Sequence, residues 1–184
     1  METLHLDLAQ TATRQHIRDV LFAQLNEEQR ATVLEALEGI AWESDHFHNV
    51  GEVKAAIGST DLDERVRNDA CAIYDILAQA EAHVHGVPVE QTHFHEVGDA
   101  EAVRNVLAVC LAIDQLAPAK ITATPVQTGS GKVKCAHGLL DIPAPATAAI
   151  LARGIPVCAD TVEGEQCTPT SAAIIAHFVE EFDR

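Results

Sequence analysis

Basic side chains are scarce in this chain: 12 lysines and arginines stand against 28 aspartates and glutamates in 184 residues, for a formal charge of −16. Such a surface repels polyanions, which argues against wrapping DNA or RNA and against docking on an anionic membrane, and it suits the attraction of cations. Long apolar runs are missing too. Nothing approaches the roughly 20 consecutive apolar residues of a membrane span, and the opening METLHLDLAQ has no basic segment followed by an apolar stretch. A cytoplasmic protein is the expectation. Cysteine pairs are also absent: the five cysteines are odd in number and none forms Cys-x-x-Cys, so reduced thiols, buried or metal-ligating, are expected in place of disulfides. What the chain does have is 47% hydrophobic and 22% charged residues, enough for a substantial core in one domain over residues 1–184.

The apolar spacing predicts mixed secondary structure. Thr3 to Asp7 alternates as a strand does, and Ile17, Val20, Leu21 and Leu25 recur at helical spacing. A second helix is expected through Val33, Leu34, Leu37 and Ile40, with Asn26 as its N-cap. From Leu62 to His85 an apolar stripe holds for more than six turns, and Gly86 and Pro88 supply a cap and a stop. Another helix is expected from near Asp99 to Leu116, a strand from Lys120 to Val126, and a glycine-rich loop over 129-GSGKVKCAHG-138. Pro143 and Pro145 open a short helix, 155-IPVCA-159 reads as a strand, and Thr168-Pro169 starts a last helix running to about Phe182. The fold class expected is α/β, helix-rich, with a small sheet flanked by several helices.

Histidine is where the chain is unusual. His93-Phe94-His95-Glu96-Val97-Gly98 nearly repeats His46-Phe47-His48-Asn49-Val50-Gly51, and His83-Val84-His85 shows the same spacing. In an extended segment His93 and His95 project together while Phe94 turns to the core, and the helix starting after Gly98 disfavours a protonated imidazole nearby, leaving it available to a metal. Glu96 adds an oxygen donor or a general base. Glu81 and His85, at i and i+4, can present a carboxylate and an imidazole to one ion. The competing reading is structural: His83 and His85 suit the negative end of a helix, and His46 and His48 suit a solvated loop after Glu43-Ser44-Asp45.

Gly129-Ser130-Gly131-Lys132 is not a nucleotide triphosphate loop, since Val133 stands where Ser or Thr is needed and the upstream glycine is missing. Lys132 and Lys134, half of the four lysines in the chain, could still meet a single phosphate beside Gly129 and Gly131; a hairpin turn with exposed lysines is the plainer alternative. Cys135 and His137 offer a thiolate and an imidazole at i, i+2, a ligand type that suits nickel, copper(I) or zinc. Glu165 and Thr168 precede the last helix, where either an anion or simple capping fits.

In chain order, 80-AEAHVHG-86, 93-HFHEVG-98, 129-GSGKVKCAHG-138, 142-IPAPAT-147 and 163-EGEQCTPTSAA-173 resemble the N-terminal half of the LarC family of nickel-insertion proteins. The likeness runs from Ala80 to Ala173, with 46-HFH-48 a looser match. It implies an α/β fold and insertion of nickel, or another divalent transition metal, into a pincer cofactor, a pyridinium mononucleotide bearing thiocarboxylates, in a reaction dependent on cytidine triphosphate. It implies His85, His93, His95, Glu96, Cys135 and His137 as metal ligands, Glu96 and Glu101 as catalytic carboxylates, and Gly129, Gly131, Lys132, Lys134 and Thr168 at the mononucleotide. The C-terminal half, which holds the cytidine nucleotide in the family, is not in this sequence, so a partner chain carrying it is expected. Two departures stand out. Asp7 is followed by Leu8-Ala9-Gln10-Thr11 where the family has a cysteine and glycines, and Glu101 and Asn105 stand where it has two aspartates. They favour the alternative of a metal-binding or scaffold relative without the insertion chemistry.

Overall fold

Capping residues set most element boundaries in the computed structural model, which describes residues 2–183. The chain runs β1 (Thr3–Leu6), α1 (Arg14–Gln24), α2 (Glu27–Glu38), α3 (Val50–Gly58), α4 (Glu64–His85), α5 (Ala100–Leu116) and β2 (Lys120–Ala123). It continues with β3 (Gly129–Ser130), β4 (Lys132–Cys135), β5 (Gly138–Asp141), α6 (Pro145–Leu151), β6 (Gly164–Glu165), α7 (Pro169–Phe178) and β7 (Glu181–Phe182). Asn26 and Gln29 close a reciprocal capping box on α2, Asp63 accepts from Arg65 N–H at the start of α4, and Gly86 ends α4 in the left-handed region at φ 64°.

Strands β1, β2 and β7 form a parallel sheet in that order, with Leu4 opposite Ile121 and Ala123 opposite Phe182. Parallel neighbours require long crossovers. Helices α1 to α5 lie in the first and α6 and α7 in the second, which makes the fold α/β as the sequence predicts. Helix α4 is its axis: Val66, Ala70, Ile73, Tyr74 and Leu77 are fully buried, and the helix packs on α3, α5, α6 and α7 in one continuous core.

Four details differ from the sequence reading. Helix α3, which was not expected, forms in a segment holding two glycines; Asn49 caps it and Val53, Ala56 and Ile57 seal its inner face. The strand expected over 155–159 contracts to a single bridge, Val157 to Val126, and β2 stops at Ala123. The last helix ends at Phe178 because Glu180 and Asp183 N–H groups bond to Ile121 and Ala123 carbonyls, turning the tail into β7. The glycine-rich segment, by contrast, takes the hairpin alternative that the sequence offers, β4 with β5, turning at Ala136-His137 and leaving Lys132 and Lys134 exposed.

Candidate metal centre

The two His-Phe-His segments find each other. Phe47 N–H donates to Gly98 O at 2.8 Å, Phe94 N–H to His48 O at 2.7 Å, and Ala100 N–H to Asp45 O at 2.9 Å. Phe94 is buried against Tyr74 and Phe47 against Trp42, while the flanking histidines face outward, the alternation expected of extended backbone. His46 is spent on structure: its Nδ1 lies 2.7 Å from Asp99 Oδ1 and its Nε2 3.1 Å from Phe94 O. Gly98 is required by contact, since a Cβ there would sit 2.0 Å from Phe47 O. This clamp fixes His95, Glu96 and the start of α5.

Those groups line a cavity of about 530 Å³ between the C-terminal end of α4, the N-terminal ends of α5 and α7, and the β4–β5 hairpin. Glu81 and His85 come from the last turn of α4, whose helix dipole favours positive charge. The hairpin turn brings His137 to them. One donor atom from each of Glu81, His85 and His137 lies within 4.8 Å of the other two. Ligands bonded at about 2.0–2.2 Å to a shared ion stand about 3–4 Å apart, so small rotations complete the site. Glu81 is 14% exposed and its Oε2 is 3.4 Å from His85 Nε2, so the carboxylate is held in place and not left to solvent. The His95 ring packs on His137 with centroids 4.8 Å apart, and Cys135 lies two residues before His137. An oxygen donor, imidazoles and a thiol together suit a divalent transition metal of borderline softness.

The cavity therefore collects His85, His95, Glu96, Glu101, Cys135, His137 and Thr168 from the residues the sequence singles out. It does not collect the others. His93 is exposed and outside the described lining, as are Gly131, Lys132 and Lys134, and Gly129 is buried elsewhere. Gly129, at φ 82°, is explained by β3–β6 pairing, because a Cβ would meet Gly164 O at 1.8 Å, and Lys132 Nζ pairs with Asp141 Oδ1 at 2.5 Å along the hairpin. Asn105 lies apart from the cavity and accepts from Arg18 Nη1 at 3.1 Å. Arg14 and Glu165 are among the lining residues that were not placed in the site from sequence. Arg14, at the start of α1, carries no local signal. Glu165, read only as a group near a helix start, has its carboxyl raised above the usual range by burial first and by Glu96 second, so two carboxylates share this part of the cavity.

A family profile described as "Nickel insertion protein" matches residues 4–184. The chain is 42% identical over 133 residues to the pyridinium-3,5-bisthiocarboxylic acid mononucleotide nickel insertion protein of Staphylococcus saprophyticus, covering 72% of this chain and 34% of that one. The protein of the same name from Desulfitobacterium hafniense is 41% identical over 148 residues, 80% of this chain and 35% of that one. The chain thus spans about a third of the length of these relatives. No solved structure matches it. With a profile match over nearly every residue and a histidine–carboxylate cluster at the matched motifs, this chain belongs to the nickel-insertion protein family.

Proposed function

We propose that this chain binds a divalent nickel ion through Glu81, His85 and His137 and passes it to the sulfur atoms of a pyridinium-3,5-bisthiocarboxylic acid mononucleotide held in the adjoining cavity. The observation that supports this most is the convergence of those three donors within 4.8 Å on the wall of a cavity large enough for a small ligand. Three protein ligands leave coordination positions open to an incoming ligand. Nickel sits high in the Irving–Williams order and accepts sulfur readily, so thiocarboxylate sulfurs replace oxygen and imidazole donors one bond at a time. Cys135 and His95 lie on that route, and Glu96 and Glu101 are carboxylates whose negative charge can hold the cation as its protein ligands let go. Zinc and cobalt fit the same donors. The remaining two thirds of the relatives' length, on this polypeptide or on a partner chain, supply the nucleotide-dependent part of the reaction, and a cytoplasmic setting suits the five free thiols.

A second reading, a module that holds metal without transferring it, is favoured by Leu8-Ala9-Gln10-Thr11 in place of a cysteine and glycines. The two part in a transfer experiment. Protein loaded with radioactive nickel is mixed with the bisthiocarboxylic acid mononucleotide, alone and with the remaining segment of a relative plus cytidine triphosphate, and the fractions are separated by size. Insertion predicts nickel in the small-molecule fraction; nickel retained by the protein in both mixtures supports the holding module.

A further inference from the structure

The relatives' substrate is a mononucleotide, so it carries a phosphate, yet Lys132 is paired with Asp141 and the hairpin's glycines and lysines lie outside the described cavity lining. A different corner is better equipped. The first N–H groups of a helix have no intrahelical acceptor. In α7 the Thr168 hydroxyl accepts from Ser171 N–H at 3.3 Å and Pro169 has no N–H, which leaves Thr170 N–H without a partner among the described residues. The Thr170 side chain lines the cavity, is only 3% exposed and makes no hydrogen bond there either. An unpartnered hydroxyl on a residue this buried, in the lining of a cavity, is placed to bond a ligand atom. Arg14 is the one Arg or Lys in the described lining. The ion pairs made by Lys and Arg involve Arg18, Lys54, Lys120 and Lys132, so the Arg14 guanidinium is uncommitted. Ala12 N–H donates to Gln166 O at 2.9 Å, and α1 packs on α7, which sets Arg14 beside the start of that helix.

We propose that the Arg14 guanidinium and the hydroxyl and backbone N–H of Thr170 bind the phosphomonoester of the mononucleotide, leaving its pyridinium end to face Glu81, His85 and His137. The assignment rests on a mononucleotide being the occupant of the cavity, as proposed above. A phosphate accepts well from a planar guanidinium and from a helix N-terminus, and carboxylates elsewhere in the lining disfavour any other place for it.

The test uses the whole chain and two probes, nicotinic acid mononucleotide and nicotinic acid riboside, which lacks only the phosphate. Titration calorimetry should show the parent preferring the mononucleotide by about tenfold or more. Arg14→Met and Thr170→Val should each remove most of that preference, whereas Thr170→Ser, which keeps the hydroxyl, and the double variant Lys132→Met/Lys134→Met should retain it. Circular dichroism checks that each variant is folded. No mononucleotide binding by the parent, no preference over the riboside, a preference unchanged in Arg14→Met and Thr170→Val, or one abolished in the lysine variant would overturn the assignment. Nickel titrations run in parallel separate the two proposals: absent discrimination with intact nickel binding refutes the phosphate seat alone, and intact discrimination without nickel binding refutes the nickel reading alone.

Discussion

Replacing Gly98 by alanine should destabilise the protein far more than one methyl suggests. An ideal Cβ at this position lies 2.0 Å from Phe47 O and 2.9 Å from Phe94 Cβ, where ordinary contact begins at 3.4 Å, so the two His-Phe-His segments must part by over an ångström. Three backbone hydrogen bonds cross that seam, Phe47 N–H to Gly98 O, Phe94 N–H to His48 O and Ala100 N–H to Asp45 O, and they cannot all survive the shift. Overpacking costs about 1–3 kcal/mol, and each weakened hydrogen bond adds about 1 kcal/mol. The expected loss is about 3–5 kcal/mol, a large share of the roughly 5–15 kcal/mol typical of a domain, with Tm lower by about 10–15 °C. Gly58 is the control. It closes α3, and a Cβ there meets nothing within 4 Å, so Gly58→Ala should be stabilising by about 0.5–1 kcal/mol. Urea unfolding followed by circular dichroism measures both, with equal m-values showing that only stability has changed. A Gly98→Ala midpoint equal to that of the parent would refute the clamp.

Tyr74, the one tyrosine, is fully buried and donates to Val97 O at 2.9 Å. Burial holds its hydroxyl well above the usual tyrosine range, so the unfolded chain loses this proton first and stability falls as pH rises past about 10. Tyrosinate absorbance near 295 nm should therefore appear together with loss of helical circular dichroism, and tyrosinate formed in the folded protein would contradict the placement. Thiols should react in a set order. Burial pushes Cys167 up to about 11 and Cys110 well above its ordinary value, whereas Cys135 is half-buried on the hairpin and faces the cavity. Thiol labelling of the native protein near pH 8, read by peptide mass spectrometry, should modify Cys135 first, leave Cys110 and Cys167 until unfolding, and slow at Cys135 when nickel is added.

Elements whose signal is local were legible in the sequence. The stripe from Val66 to Leu77 with Gly86 behind it, the Asn26 cap and the Thr168-Pro169 start are each decided by a few neighbouring residues, and the structure places α4, α2 and α7 accordingly. What depends on distant pairing was not. The two-residue strand β7 exists only because β2 lies beside it, and no pattern in Glu181-Phe182 shows this. Gly129 looked like a phosphate contact, whereas its lack of a side chain answers the approach of Gly164, 35 positions on in the chain numbering. The metal cluster divides the same way. Glu81 and His85 are recognisable from i, i+4 spacing on a helix, but His137 joins them through a hairpin whose turn carries it across the cavity. The alternation of His93, Phe94 and His95 correctly buries Phe94, yet says nothing of which histidine faces the cavity, because that depends on the pairing with His46 to His48.

The most direct measurement is calorimetric titration of the metal-free protein with nickel, set beside His137→Ala, His85→Ala and His93→Ala, each checked for folding. If Glu81, His85 and His137 hold the ion, the parent binds one nickel per chain, either cavity variant weakens binding by about tenfold or more through the loss of a direct ligand, and His93→Ala binds as the parent does. Binding that survives both His85→Ala and His137→Ala but fails in His93→Ala would contradict the account and move the metal to the exposed side of the His-Phe-His loop.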